Sequence, residues 1–390
     1  MKYLVLFIIA ILMVGCSPFP TEFSNIRSSD LRVLDFIYEP AEAAPGDTVH
    51  VKAIFGGKAI RPTDIDWKIS FDVVKNLYGT IDTALNIMPL NSVPVEESFS
   101  NNTTCMKFSF VIPPNIMYTS SSIPENWTSL IPQNLLDTIP EVYKRVSKTD
   151  MLSLVENLSK IDPPFLAGVI AADTNLSKSI PVLCQLLSVK IRLFAKIQNS
   201  LRVESNYSVR YNSKLKETGV VYVNNNPKID SIGIYKVPGT KTKYNPAEKN
   251  HEFIRLDVPK AQEKTVVIDK DFSYFVNVFA SNPDTIQTID GIITGETRPE
   301  QFFTTWFYQL DSSEVKDLSL NDFMHIKGDT LMATITPPTK ESIKTFTIWS
   351  QVYDDNGYSN VINRPQGSSL IEVHGRFEYT KAYLDNVKKK

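Results

Sequence analysis

The chain has 390 residues, and its 43 acidic and 41 basic side chains leave a formal charge of −2. That balance lacks the basic face a nucleic-acid binder needs, so nucleic acid is set aside as a partner. At roughly 100–200 residues per domain the length predicts two or three domains, each large enough to fold around its own core.

The first sixteen residues, MKYLVLFIIAILMVGC, set the address. Lys2 precedes an unbroken apolar run from Tyr3 to Val14. The run is too short to stay as a membrane-spanning helix, and a small residue and a cysteine follow it, as in a secretion signal. Val14-Gly15-Cys16-Ser17 resembles the lipobox of bacterial lipoproteins, although Met13 stands where leucine is usual. The resemblance implies that residues 1–15 are a removed signal peptide and that the Cys16 thiol carries a diacylglycerol. Two or more acyl chains, at ~0.8 kcal/mol per methylene, make such an attachment to the membrane lasting. Ser17 is similar to the pattern sorted to the outer membrane, so the expected place is the cell envelope, the outer membrane before the inner. Residues 16–30, with Pro18, Pro20 and no periodicity, are expected to form a tether.

From Leu31 the chain alternates with period two. Val33, Asp35 and Ile37 interleave with Leu34, Phe36 and Tyr38, Pro45-Gly46-Asp47 interrupts, and Thr48 to Phe55 alternates again. These strands and their connection resemble the opening of an immunoglobulin-like sandwich. Trp67, in the next strand, is the kind of ring that fills the space between two sheets.

A second copy follows. Met106 to Pro114 and Leu331 to Pro338 are both strands ended by a proline pair, which lacks the N–H donors a ladder needs. The strand Lys344 to Tyr353 matches Ser188 to Gln198, Leu370 to His374 matches Tyr207 to Tyr211, and Trp306 sits where Trp67 sits. The expected fold is mainly β: two tandem Ig-like β-sandwiches, at 31–223 and 224–384, with Asn224-Asn225-Asn226-Pro227 at the boundary and a basic tail at 385–390. Asp354-Asp355-Asn356-Gly357 reads as a hairpin turn and is similar to the turn in PKD-type and related bacterial Ig-like domains. A calcium loop there lacks the ligand spacing of an EF-hand.

Residues 115–187 carry another period. Leu135, Leu136, Ile139, Val142, Tyr143 and Val146 form one helical stripe, and Thr149 can cap a second helix bearing Met151, Leu152, Val155 and Leu158. A helical insertion in the first sandwich is therefore expected, its apolar stripes covering one another and the sandwich end. Cys105 lies at the start of one strand and Cys184 just before the start of the next. If those strands are antiparallel their starts lie about 20–25 Å apart. A bridge needs ~7 Å, so two separate thiols are expected.

No catalytic constellation emerges. His50, His251, His325 and His374 are scattered, and His251-Glu252-Phe253-Ile254-Arg255 has arginine where a zinc peptidase needs its second histidine. Glu96-Glu97 and Asp354-Asp355 diverge on extended chain and make poor glycosidase pairs. No motif calls for a cofactor or a metal. The density of rings in Phe272 to Phe279 and Phe302 to Tyr308 exceeds what one buried face needs. Tyr274, Trp306 and Tyr308 are accordingly candidates for stacking on a glycan, against the plainer possibility of packing on a neighbouring domain. The leading expectation is a non-catalytic, lipid-anchored interaction or scaffold module with a protein partner in the envelope. A carbohydrate-binding surface protein stands second, and a hydrolase with its site beside the insertion third.

Overall fold

The computed structural model describes residues 25–27, 29–75, 82–100, 103–130, 133–137, 141–172, 180, 183–184, 187–197, 201–219, 221–246, 250–259, 262–281, 285–287, 297–311, 324–327, 330–354 and 367–389. Cys16 and residues 355–357 of the acidic turn lie outside them.

The first sandwich comprises β1 (Leu31–Glu39), β2 (Thr48–Gly57), β3 (Ile65–Ser70), the hairpin β4 (Asp72–Lys75) and β5 (Asp82–Leu85), β6 (Met88–Pro89), β7 (Val95–Ser100), β8 (Thr103–Val111), β9 (Val189–Ile197) and β10 (Leu201–Val209). One sheet has the order β1-β2-β8-β7 and the other β10-β9-β3-β6, with every pair antiparallel. In immunoglobulin lettering these are A-B-E-D and G-F-C with one short extra edge. Trp67 is 7 % exposed and packs on Phe36, Phe55 and Phe108 between the sheets, as its position in the sequence predicts.

The second sandwich repeats the order. Its strands are β11 (Lys228–Pro238), β12 (Glu252–Arg255), β13 (Lys264–Ile268), β14 (Phe272–Ser281), the pair β15 (Thr285–Gln287) and β16 (Thr297–Pro299), β17 (Phe302–Asp311), β18 (His325–Lys327), β19 (Met332–Thr336), β20 (Thr345–Asp354) and β21 (Ser368–Tyr379). The sheets run β12-β11-β14-β19-β18 and β13-β21-β20-β17, and β13 pairs with β21 in parallel. The chain is thus mainly β, two tandem Ig-like β-sandwiches. The alternation that makes one face of each strand apolar fixes which face turns inward. Phe346, Ile348 and Val352 of β20 enter the core, and the Phe346 ring lies so close over Gly375 that a Cβ there would come within 2.3 Å of it. The last described helix, Lys381–Val387, is capped by Thr380 and takes in the first residues of the expected tail; its Tyr383 ring stacks on Tyr379 at 6.0 Å.

Between β8 and β9 lie helices Ile116–Thr119, Gln133–Leu136, Glu141–Lys144, Lys148–Leu158 and Pro163–Ala172. Met151, Leu152, Val155, Leu166 and Ile170 join the same buried cluster as Phe110 and Ile112, so the helices close one end of the first sandwich. Trp127, 1 % exposed, donates its indole N–H to the Val146 carbonyl at 2.9 Å. The cap of the long helix is Ser147, not the expected Thr149: its hydroxyl accepts from Asp150 N at 3.1 Å and donates to the Asp150 carboxylate at 2.7 Å. Pro163 opens the next helix, where its missing N–H is not needed.

Candidate functional site

The rings singled out as sugar-stacking candidates are inside. Tyr274 is 2 % exposed, Trp306 5 % and Tyr308 1 %, all in the second core, which removes the faces a glycan would need. In β17 the residues Thr304, Trp306, Tyr308 and Leu310 share the inward phase, and Tyr274 donates its hydroxyl to the Val267 carbonyl at 3.0 Å. The outward rings are others. Phe253 lies over Gly233, whose absent side chain makes room for it, and meets Phe279 edge-on at 5.6 Å. Tyr235 stacks on Tyr244 at 4.5 Å. This cluster is largely covered by its own members, with Phe253 and Phe279 the exposed edge.

An open surface lies at the end of the first sandwich. A groove of about 460 Å³ runs between the two sheets, lined by Ile69, Phe71, Leu90, Phe110 and Val111 among others. Around it Ile87, Met88, Val93, Val95 and Val111 are exposed, Val93 by 83 %. The two-residue β6 is too short to close the mouth. Glu96, which turns inward opposite Met106 yet stays exposed, guards the edge of β7 against another strand.

The two sandwiches meet along a buried seam on the outer face of β1, β2 and β8. The burial of β2 shows its extent. Alternate residues are exposed from Thr48 to Lys52, and from Ala53 to Gly57 both faces are covered. A β-bulge in β1 lets Leu34 and Asp35 together oppose Ile54, and Leu34 and Ile54 pack with Ile26, Cys105 and Trp349. Trp349, 0 % exposed, donates its indole N–H to Thr103 Oγ1 at 2.9 Å and to Glu372 Oε2 at 3.2 Å. The linker is part of the clamp. Asn224 takes the Glu42 carboxylate with its N–H at 3.2 Å and the Asp354 carboxylate with its amide at 2.7 Å. Asn226 donates to the Tyr38 carbonyl at 2.7 Å and accepts from Ser368 N at 3.0 Å. The last residues of the expected tether are also folded in: Ile26 is fully buried and its N–H donates to the Tyr308 carbonyl at 2.8 Å. Asp30 crosses Gly57, which sits at φ +90 with no space for a Cβ.

Asp35 is the unusual group of the seam. Gln351 Nε2 donates to its Oδ1 at 2.8 Å and Ser368 Oγ at 3.1 Å, both from the second sandwich, while Oδ2 has no hydrogen-bond partner. It lines a cavity of about 210 Å³ with Tyr38, Ser205, Asn206, Gln351 and Ser368. Burial pushes its carboxyl up to about 7, and the hydrogen bonds only partly oppose that.

Other polar clusters read as structure. Asp72 accepts from the Ser120 and Ser121 hydroxyls at 2.9 and 3.1 Å, tying the insertion to the sandwich, with no histidine at hand to take a serine proton. Glu372 pairs with His374 at 2.9 Å and His374 with Thr347 at 3.1 Å. The order is that of a triad, but the Thr347 hydroxyl belongs to a residue with no exposure, so no substrate reaches it. Among the described residues no three metal-ligating side chains converge, and no helix is long and apolar enough to cross a membrane. Cys105 and Cys184 are free and buried, and burial pushes the Cys184 thiol up to about 12.

No protein-family profile matches the chain, and no curated protein does. Among solved structures it is similar to extracellular cadherin domains 3–6 of protocadherin gamma B2, at 9 % identity over 90 % of this chain and 49 % of that one, with a TM-score of 0.20. Three N-terminal domains of the highly immunogenic outer capsid protein of bacteriophage RB49 match at 8 % identity over 90 % of this chain and all of theirs, TM-score 0.21. Titin domains I67–I69 match at 8 % over 90 % and 98 %, TM-score 0.15. The chain spans about half the length of the protocadherin gamma B2 structure it matches. At these scores the fold assignment rests on the strand order and the paired cores.

Proposed function

We propose that this is a lipid-anchored cell-envelope protein, held through Cys16 in the outer membrane, that acts as a non-catalytic interaction or scaffold module for a protein partner. The observation that carries the proposal is the fastening of Ile26 in the seam. Asn25 lies nine positions after Cys16, a reach of roughly 30 Å even when fully extended. A lipid on Cys16 would hold both sandwiches close to the bilayer as one clamped block. The Gly57 end of β2 lies under the fastened segment, and its Thr48 end lines the apolar groove. Ten residues at ~3.3 Å each put the two about 30 Å apart. The groove is the surface assigned to the partner, since exposed apolar side chains gathered round a cleft are what protein interfaces use.

Two measurements test this. Intact-mass analysis of membrane-extracted protein is expected to show a diacylated Cys16 as the first residue, and Cys16→Ser to release the chain from membranes. A photo-crosslinking residue at Val93 is expected to give a discrete adduct in intact cells that the same residue at Lys216 does not. An unmodified thiol at Cys16 overturns the anchor, and equal labelling at the two positions overturns the partner surface.

A further inference from the structure

The seam holds a carboxyl group that no cation pairs with among the described residues. Both side-chain donors to Asp35 Oδ1 come from across the seam, at 2.8 and 3.1 Å, so these two hydrogen bonds exist only while the sandwiches are joined. Its Oδ2 is buried and unpartnered. Among the described residues the groups facing it are uncharged: Tyr38 on its own strand, Ser205 and Asn206 from β10, Gln351 from β20 and Ser368 from β21. Among the described residues, Arg192 and Glu39, which bond or neighbour the groups around it, are committed elsewhere. Arg192 is bonded to Asn206 and paired with Glu204 and Asp82, and Glu39 is bonded to Asn226. Glu372 and His374 lie further along β21, paired with each other.

We infer that Asp35 is a proton-controlled latch: as the neutral acid it lets the two sandwiches close, and as the carboxylate it favours a hydrated, opened seam. The sign follows from linkage. The closed state holds the proton up to about pH 7 and a solvated carboxyl releases it near 3.8. The advantage of the closed state is therefore complete below about pH 4, falls by up to tenfold per pH unit as pH rises toward 7, and is level above it.

Two buried thiols report this directly. Cys105 packs in the seam, whereas Cys184 packs in the core of the first sandwich. The full chain and its Asp35→Asn variant, in which the amide imitates the neutral acid, are alkylated from pH 5 to 8, and each cysteine is read by peptide mass. Taking the ratio of wild type to variant at each pH cancels the titration of the thiol itself. The Cys105 ratio is expected to rise up to about a hundredfold between pH 5 and 7 and then level, with the Cys184 ratio flat. A flat Cys105 ratio, or a Cys184 ratio rising in parallel, overturns the latch. If the variant does not fold, carbon-detected NMR titration of Asp35 in the wild type decides: a midpoint near 4 overturns the latch, and one near 7 supports it.

Discussion

The two sandwiches share a strand order and differ in how each covers the outer face of its first sheet. In the second, Tyr244 and His251, from the segment between β11 and β12, fold rings back over Tyr235, and Tyr244 also meets Phe275. In the first, the corresponding face of β1, β2 and β8 is covered by another domain, through Trp349, Ile26 and the Asp35 hydrogen bonds. A face covered by its own loop needs only apolar contact and stays closed whenever the domain is folded. One covered by a neighbour depends on polar groups supplied from both sides, and it inherits their sensitivities.

The largest way to break this contrast is Trp349→Ala. It empties a fully buried ring from the seam and strands Thr103 Oγ1, so a loss of about 3–5 kcal/mol is expected. Urea unfolding followed by fluorescence is expected to split into two transitions, one per sandwich. A single transition shifted as a whole would mean that the sandwiches do not act as separable units.

Next is the pH profile of stability. The Asp35 carboxyl is raised from 3.8 to about 7 in the folded chain, so the unfolded chain releases this proton first. Asp35 therefore stabilises the fold fully below about pH 4, and that contribution is lost as pH rises to 7, by at most about 4 kcal/mol. Asp35→Asn is expected to flatten that slope in denaturant titrations between pH 5 and 8. An unchanged slope would place its origin elsewhere.

Much of the architecture is legible in the residues. Period-two alternation, the proline pairs after β8 and β19 and the two matched tryptophans carry the paired sandwiches. The seam is hidden by the same rule. Alternation tells which residues share a face but not what covers the second face, so Tyr274, Trp306 and Tyr308 could be assigned to the wrong side. A bulge at Leu34 then shifts the phase of β1 and sets Leu34 beside Asp35 on the outer face, where the second sandwich covers what alternation reads as an ordinary polar position. One signal was available: Trp349 falls out of phase with Phe346, Ile348 and Val352, and a tryptophan on the outward phase of a central strand needs a partner. The helical stripe from Leu135 to Val146 also passes through Pro140, whose missing N–H periodicity ignores; the described helical turns lie at 133–136 and 141–144, on either side of it.

Tyr244→Ala sharpens the comparison from the other side. It removes a ring stacked at 4.5 Å on a half-buried face, and about 1 kcal/mol of the second sandwich's stability is expected to go with it. Because that face is closed within its own domain, Cys105 alkylation is expected to stay at the wild-type rate. Faster labelling would show that the two covered faces are coupled.

The smallest expected effect on stability is at the groove. Val93 is 83 % exposed. Val93→Glu therefore gives up almost no buried area and is expected to leave the melting temperature and the pH slope unchanged, within about 0.5 kcal/mol. If the groove seats a partner's apolar side chains, the same substitution puts a charge where the complex must exclude water, a large cost on binding. Loss of the crosslinked adduct with the fold intact separates a surface kept apolar for a partner from one that is merely tolerated, whereas an adduct of undiminished yield assigns the exposed valines to the second kind.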